Sequence, residues 1–227
     1  MYGKFLVEGD KPVRELLKSN FTIDTIYSIN TWQMTVGNSK PNQVIVTEEQ
    51  LKKISTHENP NQALAVVDIP VTHNSFKNIT SLNIVCDNLN DPGNAGSIIR
   101  IADWFGIENV FFSETSVDIY NPKTVSAAKG SLFRVKCIYT DLKKLFNENQ
   151  SIIVYGTFME GESIFTSNLG ENAFILIGNE ANGISDELLP FVNQKLGIPS
   201  FGKAESLNAA VAAGIVVSEF KRRLAYL

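Results

Sequence analysis

The chain has 227 residues, enough to bury one large core or two small ones. A hydrophobic content of 44% and a charged content of 19% are those of an ordinary globular protein, and no apolar run reaches the roughly 18–20 residues a membrane helix needs. A net charge of −4 argues against a protein that coats nucleic acid by bulk charge, although Lys and Arg gather at Lys11/Arg14/Lys18, Lys123/Lys129/Arg134/Lys136 and Lys221/Arg222/Arg223. The N-terminal residues lack the basic-then-apolar layout of a signal peptide. Cys86 and Cys137 lie in apolar, strand-like runs and read as buried reduced thiols, so the expected compartment is the cytoplasm.

Taken in chain order, residues 1–70 read as a small α/β unit. Asp10-Lys-Pro12 opens a short helix carrying Val13, Leu16 and Leu17, with Asp10 as N-cap. Strand-like runs follow at Thr25–Ile29 and Val44–Val46. Thr47-Glu-Glu-Gln50 is a capping box before Leu51 and Ile54, and Ala63–Val67 reads as a buried strand. Residues 71–81 are polar and aperiodic, which marks a linker.

From residue 82 to residue 227 short apolar strands alternate with helical patterns. The strands are Leu82–Cys86, Asn109–Phe112, Phe133–Ile138, Ile152–Tyr155, Ala173–Ile177 and Lys195–Ile198. The helices are Gly96–Phe105, Pro122–Ala128, Asp141–Glu148, Ser185–Leu189 and Ser206–Leu224. This alternation predicts an α/β fold, a mainly parallel sheet flanked by helices on both faces. The last helix is apolar on two sides, Leu207/Val211/Ile215 and Ala213/Val217/Phe220/Leu224. One side can pack on the sheet; the other needs a second copy of the chain or a larger monomer core.

The chemistry available here is restricted. The two histidines, His57 and His73, both precede residue 76, so the larger unit cannot by itself build a Ser-His-Asp triad or a His-rich metal centre. Its unusual residues fall after strands, where open α/β sheets bind ligands. The first loop is Asp87–Gly96, in which Pro92-Gly93 turns and Asn94 reads as an N-cap, followed by Arg100 one turn along the helix. The second is Gly178-Asn-Glu180-Ala-Asn-Gly183, whose glycines permit positive φ and close approach of a ligand. The third joins Ile198-Pro199 through Gly202 to Ser206-Leu207-Asn208, which offers a hydroxyl, an amide and free backbone N–H groups. Ser206 is either a ligand contact or a plain cap. No Gly-x-Gly-x-x-Gly follows the first strand, which argues against a dinucleotide-dependent oxidoreductase.

Together these loops resemble, in order and wording, the three motifs of the SpoU (TrmH) family of RNA ribose 2′-O-methyltransferases in the SPOUT superfamily. The first motif stands as Asp91-Pro-Gly-Asn94-Ala-Gly96-Ser-Ile-Ile-Arg100 with Phe105-Gly106, the second as Gly178–Gly183 with Ile184-Ser185, and the third as Ile198-Pro199 with Ser206-Leu207-Asn208. The likeness spans residues 82–224, with a looser one in the N-terminal unit at Phe5-Leu-Val-Glu-Gly9 and Ala63–Val67. Relatives place a basic or amide residue where Ser126 stands, whereas Gly130-Ser131 and Arg134 fit.

The resemblance implies a C-terminal trefoil knot, a homodimer through the last helix and an RNA substrate, ribosomal or transfer, held in part by the small N-terminal domain. The reaction implied moves a methyl group from S-adenosylmethionine to a ribose 2′-hydroxyl, leaving S-adenosylhomocysteine, with no metal. Arg100 would stabilise developing alkoxide charge; a guanidinium is a poor base, so the proton would leave to phosphate or water. Asn94 would position Arg100 or the ribose, and Glu180 would frame the site with Asn208. Backbone groups at Gly178, Ile198 and Leu207 would cradle the cofactor, with Thr157 and Ser206 lining its pocket. The rival reading is a relative that keeps the fold and binds RNA without methylating it.

Overall fold

The computed structural model describes residues 3–34, 41–71 and 79–225, so His73, residues 72–78 of the expected linker and the Leu224 side chain lie outside the described residues. The first sheet has four strands, β1 (Lys4–Glu8), β2 (Ile23–Ser28), β3 (Asn42–Ile45) and β4 (Ala63–Asp68), in the order β1-β4-β2-β3. β4 pairs antiparallel to β1 and β2, and β2 pairs parallel to β3. Helices α1 (Asp10–Leu16) and α2 (Glu48–Ile54) accompany it. The Thr47/Gln50 capping box forms as expected. Asp10 is inside α1, not its cap: Gly9 takes that place, and the Asp10 carboxylate accepts hydrogen bonds from Arg14 Nε (2.5 Å) and Trp32 Nε1 (2.7 Å).

The second sheet contains β5 (Leu82–Cys86), β6 (Asn109–Phe112), β7 (Lys136–Tyr139), β8 (Ile153–Phe158), β9 (Glu162–Ser163), β10 (Ala173–Ile177) and β11 (Gln194–Gly197). Its order is β7-β6-β5-β10-β8-β11-β9, with every pairing parallel. The chain runs outward from β5 through β6 to β7, then returns past β5 to β8. The gap that this leaves is filled by β10.

Alternation along β10 shows why the strand is apolar throughout. Ala173, Ile175 and Ile177 join one buried cluster, with α3 (Pro92–Trp104), α4 (Pro122–Ala128) and α6 (Ala209–Ala225). Phe174 and Leu176 point into the other, with α5 (Leu142–Glu148) and Phe191. Burying a side chain such as Phe174 fully is worth about 2–3 kcal/mol, so both faces stabilise the strand. Among the described residues no helix is long and apolar enough to cross a membrane.

Several boundaries differ from the sequence expectation. Ser185–Leu189 is not a helix; it forms turns that run into a 3-10 turn at Leu189–Phe191, where Pro190 has no N–H to donate. Ser131–Phe133 is a 3-10 turn as well, so the strand expected from Phe133 begins only at Lys136. The short edge strand β9 gave no periodic signal in two residues.

The two sheets are joined through side chains. Phe5 packs on Tyr120 at 4.6 Å between ring centroids, and Phe21 meets Phe133 edge-on at 5.5 Å. Arg134 donates to Asp103 (2.7 Å) and to Glu15 (2.7 Å), which raises its own pKa and, with Ser131 Oγ, holds the Asp103 carboxyl below its usual range. Arg134 therefore spends its guanidinium on protein carboxylates. Gly130, at φ 89°, lies so close to the Glu15 carboxylate that a Cβ would collide with it.

A second clamp ties down α6. The buried Glu219 carboxylate accepts from Arg222 and Arg223, each at 2.8 Å, and Arg223 also donates to the carbonyls of Ile164 (2.7 Å) and Ser167. Hydrogen bonds from Arg222 first, then Arg223, lower the Glu219 pKa from 4.5 to about 2. A depressed carboxyl pKa contributes stability that is complete above about pH 4.5 and is lost as pH falls towards 2. We therefore expect Glu219→Gln to cost about 1–3 kcal/mol at pH 7, with the gap from the parent closing between pH 4.5 and pH 2 in denaturant titrations; an unchanging gap would contradict the assignment.

Candidate active site

The C-terminal ends of the parallel strands carry all three loops: those after β5 and β10 leave neighbouring strands, and the third, after β11 on the far side of β8, returns through α6, which packs on α3. α3 is capped by Asp91, whose carboxylate accepts from the Asn94 N–H at 2.8 Å, with Pro92 in the first turn. That hydrogen bond, and after it the charge of Lys123, lowers the Asp91 pKa. Asn94 is thus not the cap expected from sequence. Its side chain is free for other partners, and the helix starts at Pro92 rather than Gly96.

α6 likewise starts later than expected. Asn208 Oδ1 accepts from the N–H groups of Ala210 (3.0 Å) and Val211 (3.2 Å), so Asn208 caps α6 and Ser206 is relieved of that role. With its oxygen committed, Asn208 must present its amide NH2 outward, and it donates to Asn94 Oδ1 at 2.7 Å. Asn94 must then turn its own NH2 the other way, where it donates to Glu180 Oε1 at 2.8 Å. Once the fold brings the three side chains together, the cap sets the order of donors and acceptors, and the row ends at a side chain that has to accept.

Glu180 also lies 3.4 Å from the N–H groups of Asn90 and Asp91. Its loop is a tight one in which Asn179 and Gly183 exchange backbone hydrogen bonds, with Gly183 at φ 69°. Gly178 packs directly on the Gly183–Ile184 backbone, where any Cβ would overlap it. On the other side, Gly96 sits where a Cβ would be 2.6 Å from both the Ala127 Cβ and the Thr124 carbonyl oxygen, so α3 and α4 pack backbone to backbone.

Among the sequence-designated residues, Asn94, Glu180 and Asn208 form one hydrogen-bonded row. Thr157, on β8, donates its hydroxyl to the Leu176 carbonyl at 3.1 Å, just before Gly178. Ile198 follows β11, and Ser206 and Leu207 are exposed in the approach to α6. Arg100 is outside the row, exposed on α3, and among the described residues its guanidinium makes no hydrogen bond or ion pair. Sequence reasoning missed Asp87 and Asn88, whose hydrogen bonds reach across to the second loop. The signal for them was a carboxylate standing at the very end of a buried strand.

S-adenosylmethionine, the cofactor implied by the three loops, presents an adenine edge, ribose hydroxyls and an amino-acid end. Among the described residues the backbone groups of Gly178, Ile198, Ser206 and Leu207 form no hydrogen bonds within the protein, which leaves donors and acceptors of both kinds at the strand ends. The N-termini of α3 and α6 add partial positive charge there. These groups fit the cofactor.

Comparison with known proteins gives the family. The SpoU rRNA Methylase family matches residues 81–218, and an MRM3-like substrate binding domain matches residues 1–65. The chain is 32% identical over 218 residues to a Bacillus subtilis protein named 23S rRNA (guanosine(2553)-2′-O)-methyltransferase RlmP, covering 94% of this chain and 86% of the relative. A TrmH-family RNA methyltransferase structure from Porphyromonas gingivalis, described as putative, superposes with a TM-score of 0.85 at 33% identity, covering 97% of this chain and 90% of the other. The SpoU methyltransferase AviRb from Streptomyces viridochromogenes, solved in complex with AdoMet, gives 0.87 at 25% identity and covers 98% of this chain and 91% of the other. With 138 of 227 residues inside the family's own pattern, the chain belongs to the SpoU rRNA methylase family.

Proposed function

We propose that the protein methylates the 2′-hydroxyl of a ribose in ribosomal or transfer RNA, using S-adenosylmethionine. The observation that carries this reading is the Asn208–Asn94–Glu180 row, which ties three separated loops together, with Arg100 on the same helix as Asn94 and without a hydrogen-bond or ion-pair partner among the described residues. The relatives named for 23S rRNA 2′-O-methylation, and the AdoMet complex of AviRb, support the same chemistry.

In this reading the free backbone groups of Gly178, Ile198 and Leu207, with Thr157 and Ser206, hold the cofactor. Bound there, the cofactor supplies an electrophilic methyl group on a sulfonium, which needs no redox step. Asn94, Glu180 and Asn208 keep the loops in register and orient the ribose. Arg100, with no carboxylate partner among the described residues, offers its charge to the oxygen that becomes nucleophilic. A guanidinium does not accept protons at neutral pH, so the hydroxyl proton leaves to RNA phosphate or water. Residues 1–70 serve as the RNA-binding part, residues 71–81 as the linker and residues 82–227 as the catalytic part. The two unpaired cysteines fit a reducing compartment such as the cytoplasm.

The homodimer and the knot belong to the same reading. One side of α6, with Ala213, Val217 and Phe220, is buried in the chain's own core. Opposite it, Val211 is 50% exposed, as is Leu207 (48%) just before the helix, and Ile101, Phe105, Phe165 and Ile215 join Val211 around an apolar groove of about 700 Å³ between α3 and α6. A second copy presenting the same helices would fill it. For the knot, the support is that β10 and β11 enter the sheet late, between strands already laid down, before α6 turns back to α3.

Arg100→Ala should keep the fold and S-adenosylmethionine binding by calorimetry while losing on the order of 100-fold in methyl transfer to RNA; parent-like turnover would sink the assignment. Val211→Glu with Ile215→Glu should convert a dimer to a monomer in sedimentation equilibrium. A parent that sediments as a monomer would refute the interface.

A further inference from the structure

We infer that Asp87 is a positioning residue for the methyl transfer: it clamps the Gly178–Ser185 loop so that Glu180 meets Asn94. The inference rests on the role given to Glu180 above and extends it to a buried carboxylate outside the family-like motifs.

Asp87 directly follows β5 and is 1% exposed. One carboxylate oxygen accepts from the Ser185 N–H at 2.7 Å, at the far end of the second loop. The other accepts from the Asn88 side-chain amide at 2.8 Å. Asn88 stands in the left-handed region at φ 48°, an uncommon conformation that asparagine tolerates better than most residues. There its backbone carbonyl accepts from the Asn179 side-chain amide at 2.7 Å, at the near end of the same loop. Its own N–H donates to Ser113 Oγ at 2.9 Å and its side-chain oxygen accepts from Thr115, so every polar group of Asn88 is engaged.

The loop is therefore held at both ends by two consecutive residues, and Glu180 sits between the two holds. Inside the loop Asn179 Oδ1 accepts from the N–H groups of Ala181 (2.9 Å) and Asn182 (3.1 Å), which leaves Glu180 little freedom to move independently. The Ser185 hydroxyl contributes nothing to the clamp: it is buried without a partner among the described residues, so the backbone N–H alone carries that contact. The carboxylate fits this place because both of its neighbours are donors. An amide there would face one of them donor to donor.

The pairing predicts a specific rescue. Asp87→Asn should lower kcat for methyl transfer from labelled S-adenosylmethionine to total RNA about tenfold, with cofactor affinity by calorimetry within about twofold of the parent. The swap Asp87→Asn with Asn88→Asp restores one donor and one acceptor across the pair and should recover most of that loss, which a loss due to the missing charge at residue 87 would not allow. Glu180→Ala should be slow by itself, and adding Asp87→Asn to it should cost little more, because both changes act on one carboxylate. Multiplied losses, or full turnover by Asp87→Asn beside a slow Glu180→Ala, would overturn the clamp. Parent-like turnover by Glu180→Ala would instead overturn the reading of Glu180, and the clamp's function with it.

Discussion

The orientation of one asparagine amide organises this molecule's functional end. Asn208 caps α6 with its oxygen, and that commitment sets which way the Asn94 amide faces and that Glu180 accepts. Two helix starts and a turn between strands are thereby made interdependent, although they lie 86 and 114 residues apart in sequence.

That arrangement is reachable only because backbone approaches backbone elsewhere. Gly96 lets α3 settle on α4, and Gly178 lets the second loop fold onto itself. A methyl group at either position would have to displace peptide atoms rather than a flexible side chain. Around these contacts the sheet is sealed by separate apolar clusters on its two faces, so the strand ends that carry the loops emerge from a closely packed core.

The smaller sheet is attached by different means. Aromatic edges and the Arg134 guanidinium, shared between Glu15 and Asp103, fix it against the larger one. An arginine that fits the family pattern in sequence is here committed to carboxylates, which removes it as a free phosphate ligand. Arg100 is the opposite case: exposed on a helix and without a partner among the described residues.

Much of the larger sheet was legible in the residues. β5, β6, β10 and α4 stand where apolar runs and a Pro-led helix start put them. A continuous run such as Ala173–Ile177 has few alternatives to a strand covered on both sides. The positions of the three loops were legible as well, since glycines and short polar side chains gather just after apolar runs. What sequence could not decide was who bonds to whom. Asp91 and Asn94 are both good caps, as are Ser206 and Asn208, and local propensity does not choose between them; partners brought in by the fold do. The same holds for Asp87, which reads as an ordinary polar strand end until the sheet places Ser185 against it. Sequence determined the elements because their hydrophobic periodicity is local. Tertiary structure alone decided the hydrogen-bond order of the site, because each donor's choice depends on an acceptor far along the chain.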